Sequence, residues 1–242
     1  MRNPWLVSAL VFVLLLGAMS GLVLAQDEEG GEEEGAKQVT WLDTILAGGV
    51  IGAVIIIMSV ISLALVIEHF VNIRRDKLVP PEILGEVEVL FEDEEFEEAM
   101  ELCEAEPSYF TNVVGAALPK MNSGYISMME ALAETGDEEA IKLHQKIGYL
   151  SLIGNIAPMM GLLGTVQGMI TAFQRIAAAR GAPEPSELAD GISMALVTTF
   201  LGLVVAIPTM ICFFYFRNRV VRMGLEINNI CSDLFDRFRP TD

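Results

Sequence analysis

The stretch APMMGLLGTVQGMITAF, residues Ala157 to Phe173, decides how this chain folds. It contains no charged residue and is apolar enough to lie in a bilayer. Small residues recur in it at steps of four, three and four, a spacing that places them on one face of a helix. This predicted stripe consists of Gly161, Thr165, Gly168 and Ala172. Because small side chains let a second backbone approach closely, the stripe predicts tight packing against another helix.

A second stretch, GISMALVTTFLGLVVAIP at residues 191–208, shows the same pattern. Its small residues recur at steps of four, four, three and four, and they are Gly191, Ala195, Thr199, Gly202 and Ala206. Thr165 and Thr199 each lie nine residues from the helix ends expected near Gln174 and Asp190. At about 1.5 Å per residue, both threonines would be roughly 14 Å deep. Two antiparallel helices would therefore carry two hydroxyls at one level near mid-bilayer.

The composition indicates a polytopic membrane protein of the all-α class, with three long transmembrane helices extended into a cytoplasmic helical domain. Of 242 residues 52% are hydrophobic, and three long apolar runs follow a signal-like start. A formal charge of −18 argues against nucleic-acid binding, which needs a basic face. The acidic segments at residues 27–34 and 82–106 are typical of solvated surface. Three cysteines, Cys103, Cys212 and Cys231, match neither a metal motif nor a disulfide framework.

The first forty residues are expected to lie outside the folded part. Residues 1–25 resemble a signal peptide, with Arg2 before an apolar core and a small residue, Ala25, at the cleavage site. An uncleaved membrane helix is the alternative for this segment. Residues 26–40 are acidic and glycine-rich, and they predict a disordered periplasmic segment.

Positive charges set the predicted orientation. Arg74, Arg75 and Lys77 follow the first retained span, so we expect that end to be cytoplasmic, although Arg175 and Arg180 oppose the rule. The mature N-terminus would then be periplasmic and the C-terminus cytoplasmic. The predicted segments are transmembrane helix 1 at 41–73, a cytoplasmic helical domain at 74–146, transmembrane helix 2 at 147–176, a periplasmic loop at 177–188, transmembrane helix 3 at 189–216, and a cytoplasmic C-terminal helix and tail at 217–242.

Finer features of these segments are also predicted. The missing N–H of Pro158 should bend transmembrane helix 2. The cytoplasmic domain should contain four helices, the last of them interrupted by a polar turn at Asp137, Glu138 and Glu139. This domain is expected to be a scaffold that extends the membrane helices, with a docking site for a cytoplasmic partner as the alternative.

No catalytic constellation is visible, so we expect no enzyme, no metal and no cofactor. His69 and His144 have no partner at ligand or triad spacing. The apolar cores of the three spans, residues 45–67, 148–174 and 191–216, contain no Asp, Glu, Lys, Arg or His. Proton translocation normally needs a titratable group, and a hydroxyl cannot store a proton at neutral pH. If the chain conducts protons, another chain must therefore supply the carboxylate.

The segments GLLGTVQGM and ALVTTFLGLVVAIP resemble the last two membrane helices of the MotA/TolQ/ExbB proton channel family, closest to the ExbB/TolQ branch. The resemblance covers roughly Trp41 to Phe238. It implies three spans with the N-terminus outside, and a pentamer around the single-span helices of an ExbD- or TolR-like dimer. It implies that the partner's membrane aspartate carries the proton, and that Thr165 and Thr199 line the ion path. Met194 stands where ExbB-type sequences often carry glutamate.

The resemblance implies a stator or channel subunit of the bacterial inner membrane, coupling proton or Na⁺ flow to work on the envelope. That work would be TonB-dependent uptake, Tol-type envelope maintenance or motility, with a TonB- or TolA-like protein downstream. The alternatives are a non-conducting oligomeric scaffold, in which each threonine hydroxyl bonds only to its own helix, and a small-molecule transporter. Against a transporter, there is no internal repeat and no charged residue at midplane.

Overall fold

The structure, a computed structural model, describes residues 49–178 and 185–239. The predicted signal peptide, the acidic segment 26–40, the start of transmembrane helix 1, residues 179–184 of the predicted periplasmic loop and the last three residues lie outside the described residues. Within the described ranges every regular element is helical. The α-helices are α1 Gly49–Asn72, α2 Arg75–Leu78, α3 Pro81–Glu92, α4 Phe96–Ala105, α5 Tyr109–Ala117, α6 Tyr125–Ala178 and α7 Pro185–Phe235, with short 3₁₀ helices at Leu118–Ser123 and Asp236–Phe238.

Three of these helices are long and apolar enough to cross a membrane. They are α1, α6 and the part of α7 from Gly191 onward. The chain is therefore a multi-pass, all-α membrane protein, as the apolar runs predicted. Prolines mark several helix starts, because a missing N–H costs nothing in the first turn. Pro81 begins α3, and Pro185 begins α7 six residues before the first residue of its stripe, Gly191.

The predicted polar turn at Asp137–Glu139 is wrong, because α6 is continuous for 54 residues. Glu138 and Glu139 lie one turn before Lys142 and form ion pairs with it, at 3.4 and 2.8 Å. Such pairs are compatible with a helix interior. Gly136 is also held, because the hydroxyl of Tyr109 donates to its carbonyl at 2.7 Å. The helix boundaries near the predicted loop differ too, since α6 extends to Ala178 and α7 begins at Pro185.

The described residues divide into two compact units, and α1, α6 and α7 each contribute to both. The first unit contains the described residues up to Ile61 and those of 154–208. It contains the two stripes and is described below. The second unit contains residues 62–153 and those from 209 onward.

Large side chains form the core of the second unit. Phe91, Phe110 and Phe235 are fully buried, and Phe91 and Phe235 meet edge to face with ring centroids 5.4 Å apart. The helix α5 enters this core through a capping box, in which Ser108 and Thr111 each accept a hydrogen bond from the backbone N–H of the other. The C-terminal segment also packs here, and its apolar residues are buried or partly buried in the cluster: Ile227, Ile230, Leu234 and Phe238.

Polar side chains connect the three long helices within the second unit. The hydroxyls of Ser62 on α1 and Thr209 on α7 are hydrogen-bonded at 2.7 Å, and both residues are buried. His69 is also buried; its Nε2 donates to the carbonyl of Lys146 on α6 at 3.2 Å, and its ring meets Phe216 edge to face. The spacing of residues around His69 in the sequence gave no sign of this burial.

Candidate functional site

The helices α6 and α7 approach each other through glycine in the first unit. A Cβ atom added to Gly202 would lie 2.6 Å from the carbonyl oxygen of Ala157. A Cβ on Gly161 would lie 2.9 Å from the carbonyl oxygen of Thr198 and 2.9 Å from the Cα of Thr199. Real Cβ atoms do not approach backbone this closely. The two backbones are therefore in direct contact, and only glycine fits at these positions.

The contact continues along both helices in antiparallel register. A Cβ on Gly168 would lie 2.9 Å from the carbonyl oxygen of Gly191, and Gly191 itself faces the methyl group of Ala172. Ala195 faces Gly168, and Ala195 and Ala206 are both buried. The stripe residues Gly161, Gly168, Ala172, Gly191, Ala195 and Gly202 thus lie against the facing helix.

The side chains of the two threonines named from the sequence lie at the edge of this contact, although the Cα of Thr199 is part of it. Gly164 is buried against the side chain of Thr198, which is fully buried, whereas Thr165 and Thr199 are only partly buried. Steps of three or four residues both keep a helix face, so the sequence pattern could not choose between Gly164 and Thr165, or between Thr198 and Thr199. Packing makes that choice, and it places Gly164 and Thr198 in the contact. Neither residue was singled out from the sequence.

Each threonine hydroxyl donates its proton to a backbone carbonyl. Thr165 Oγ1 donates to Leu162 of its own helix at 2.7 Å. Thr199 Oγ1 donates across the contact to Gly161 at 3.3 Å, while Thr198 donates to Ala195 at 2.9 Å. A hydroxyl that donates a hydrogen bond still has oxygen lone pairs that can accept one. Thr165 and Thr199 can therefore accept a hydrogen bond or coordinate a cation.

Thr165 and Thr199 lie on the same side of the helix pair. An antiparallel pair has a local twofold axis perpendicular to the plane of its two helices. Residues that follow a contacting residue by one position on each helix therefore turn to the same side. Thr165 follows Gly164, and Thr199 follows Thr198, and Gly164 packs on Thr198. Because Thr199 is level with Gly161, the two threonines are separated along the axis by about one helical turn, roughly 5 Å.

The first membrane helix lies on the other side of the pair. Met194 reaches α1, because its Cε lies 2.9 Å from the position of a Cβ on Gly49. Met194 and Thr199 are five residues apart, which is about 140° around a helix of 3.6 residues per turn. The side that bears Thr165 and Thr199 is therefore turned away from this contact. Leu162 and Leu196, which are exposed on α6 and α7, continue the threonine side.

The remaining predicted features are placed as follows. Pro158 lies inside α6, as does Pro208 inside α7, and the bend predicted at Pro158 stays a prediction. No group of three or more His, Cys, Asp or Glu side chains within the described ranges could hold a metal ion.

Comparison with known proteins identifies the family. The MotA/TolQ/ExbB proton channel family matches residues 106–229, which is just over half of the chain and includes both glycine-lined segments. The chain belongs to this family. The relatives place it in the ExbB/TolQ branch.

Three relatives show the extent of the similarity. Biopolymer transport protein exbB1 of Vibrio cholerae is 42% identical over 73 residues, which is 30% of this chain and 32% of the relative. An ExbB homolog of Methanothermobacter thermautotrophicus is 28% identical over 182 residues, or 75% of this chain and 64% of the relative. The Tol-Pal system protein TolQ of Haemophilus influenzae is 30% identical over 105 residues, 43% of this chain and 42% of the relative. Each match thus spans less than two thirds of the relative's own length.

Proposed function

We propose that this chain is the ion-conducting stator subunit of an envelope energy-transducing complex. The observation that supports this role is a pair of threonines on the side of the glycine-packed helix pair that lies away from the contact between Met194 and α1. Direct backbone contact fixes the register of α6 and α7, and with it the positions of the two hydroxyl oxygens. Two hydroxyl oxygens at fixed positions in a membrane can bind a single-file chain of water molecules or a passing cation.

In this proposal a single-span protein of the ExbD/TolR type supplies the titratable group. The apolar cores of the three spans contain no Asp, Glu, Lys, Arg or His, and Met194 points toward α1 and cannot titrate. The hydroxyls of Thr165 and Thr199 already donate hydrogen bonds to backbone carbonyls, so their oxygens can accept a hydrogen bond from a protonated carboxyl group. Hydroxyls in this chain and a carboxylate in the partner would complete one proton path.

The complex would lie in the bacterial inner membrane, with the mature N-terminus periplasmic and the C-terminus cytoplasmic. Several copies of this chain would surround the partner helices, as the family resemblance implies. Each proton, or Na⁺ ion, would supply about 2.3 kcal/mol per 100 mV. The moving partner would transmit this energy to a TonB- or TolA-like protein. The chain would have no enzymatic role.

Valine substitutions test the role of the hydroxyls. Thr199→Val and Thr165→Val keep the side-chain shape but remove the oxygen. Thr171→Val is the matched control, because Thr171 also donates to its own helix, at 3.0 Å to Gln167, from the opposite flank of α6. We would measure ion flux per assembled complex in liposomes. The proposal predicts that T199V and T165V lower flux at least about tenfold, since hydrogen bonds to charged groups contribute about 1.5–3 kcal/mol.

The control separates conduction from packing. If all three variants assemble and conduct like the unmodified complex, the threonines serve only packing and the chain is a non-conducting scaffold. If T171V lowers flux as much as T199V, the effect is not specific to the threonine side and the proposed path is wrong.

A further inference from the structure

The threonine side of the helix pair bears a further polar residue, Asn155 on α6. Asn155 is exposed within the first unit. It precedes Thr165 by ten residues, which places it about 80° farther around α6 from Gly164 and roughly 15 Å along the helix. The intervening residue on this side, Leu162, is also exposed. Asn155 therefore lies on the side that the other helices of the described chain leave open.

A polar side chain on the exposed face of a membrane helix is uncommon. In membrane spans such side chains mark ion pathways or protein contacts. Asn155 lies eight residues inside the start of its span at Ile147, in the half of the span nearer the predicted cytoplasmic end. Its side chain carries two donor hydrogens and an acceptor oxygen, the groups that bind water or a cation.

The backbone carbonyl of the residue before Asn155, Gly154, is a further hydrogen-bond acceptor. Pro158 has no N–H, so the carbonyl of Gly154 lacks its usual donor in the helix. Asn155 thus follows directly a residue whose carbonyl oxygen has no donor from Pro158. Hydroxyl, amide and carbonyl oxygens are the neutral ligands that monovalent cations and hydronium accept.

We propose that Asn155 forms a further polar binding site on the ion path, between the threonine pair and the cytoplasmic end. Its amide holds the water or the monovalent cation, hydronium or Na⁺, that passes Thr165 and Thr199. This inference rests on the proposed function, because it extends the same path. It assigns a role to a residue that the small-residue stripes do not include.

Leucine and glutamine substitutions of Asn155 test this binding site. Asn155→Leu removes the amide with little change in volume, and Asn155→Gln keeps it. Gln167→Leu is the control, because Gln167 is an exposed amide on the same helix that lies on the other side of Gly164, about 160° from Thr165. The complex with its native single-span partner is reconstituted in liposomes, and flux per assembled complex is measured under a pH gradient and, separately, under a Na⁺ gradient.

The expected result is a loss of flux of about tenfold or more in N155L, recovery in N155Q, and unchanged flux in Q167L. The gradient that drives flux identifies the ion. Equal flux in N155L and the unmodified complex, with T199V still impaired, would overturn the role of Asn155 and leave the threonine path intact. If T199V conducts normally, both proposals fail. Equal losses in N155L, N155Q and Q167L would show a packing role and would also overturn the inference.

Discussion

The helices α6 and α7 pack in different ways in the two units. In the first unit they meet through glycine and alanine, and main-chain atoms are in direct contact at Gly161 and Gly202. In the second unit the helices surround large side chains, with Phe91, Phe110, Phe216 and Phe235 fully buried. Burial of large side chains supplies most of the hydrophobic stabilisation, whereas a glycine contact contributes shape and register. The comparison shows that one helix can pack through backbone contact at glycines in one part and through large buried side chains in another.

The largest effect should come from emptying the aromatic core. Phe110→Ala removes a fully buried ring from the second unit and should lower the free energy of unfolding by about 3–5 kcal/mol. Ile126→Ala, at a residue that is 73% exposed, should cost little. Chemical denaturation in detergent, followed by circular dichroism, measures both. A cost below about 1 kcal/mol for F110A would contradict the idea that large side chains stabilise this unit.

A smaller steric effect should mark the first unit. Gly202→Ala places a methyl group 2.6 Å from the carbonyl oxygen of Ala157, so it should cost about 1–3 kcal/mol by forcing the helices apart. The matched control is Gly148→Ala on α6, where an added Cβ meets nothing within 4 Å. That substitution should be neutral or stabilising by up to about 1 kcal/mol, since alanine favours helix. The same unfolding assay applies, and equal destabilisation by G148A and G202A would refute the close contact.

The second unit also contains a buried hydrogen bond from the side chain of Tyr109, so large side chains are not its only stabilising contacts. The Tyr109 hydroxyl donates to the carbonyl of Gly136, so Tyr109→Phe should cost about 1 kcal/mol. Burial raises the pKa of Tyr109 from 10 to about 12. The neutral phenol is favoured in the fold, so this stabilisation is complete below pH 10 and is lost as the pH rises through 12.

Unfolding curves at several alkaline pH values test this linkage. The unmodified protein should lose stability between pH 10 and pH 12 more steeply than Y109F. The thiol of Cys103, whose pKa burial raises to about 11, is present in both proteins and cancels in the comparison. Identical pH dependence in the two proteins would show that the phenol is not buried as described.

The smallest effect should come from the hydroxyl pair on α1 and α7. Ser62→Ala breaks a buried hydrogen bond of 2.7 Å to Thr209 and should cost about 0.6 kcal/mol, the average for such bonds between membrane helices. Thr209→Val should have a similar cost. If the two hydroxyls bind each other, the double variant costs less than the sum of the single variants. Strict additivity in that cycle would mean that the pair is not coupled.

Much of the architecture could be predicted because membrane burial leaves a strong pattern. The apolar runs predicted the spans in α1, α6 and α7, and the small residues predicted which faces of α6 and α7 meet. The sequence could not separate Gly164 from Thr165, because both continue a helical face from Gly161. Only the packing of the second helix shows that Gly164 lies in the contact and Thr165 beside it.

Other features depended on partners far away in the sequence. The acidic run at Asp137 looked like a helix break, but Lys142 and Tyr109 hold that part of α6 in helical form. His69 has no motif around it, and its burial follows from the ring of Phe216 and the carbonyl of Lys146. The sequence could not show where the side chain of Met194 points, and only the structure shows that it lies toward α1.

The most direct test of the divided proton site is flux into dye-loaded liposomes under an imposed potential. Three samples are compared: this chain alone, the chain with its single-span partner, and the chain with a partner whose membrane aspartate is changed to asparagine. The account predicts flux only with the unmodified partner, because this chain supplies hydroxyl oxygens and the partner supplies the carboxylate. Equal flux from this chain alone would contradict the account, since it would require a proton carrier within the spans of this chain.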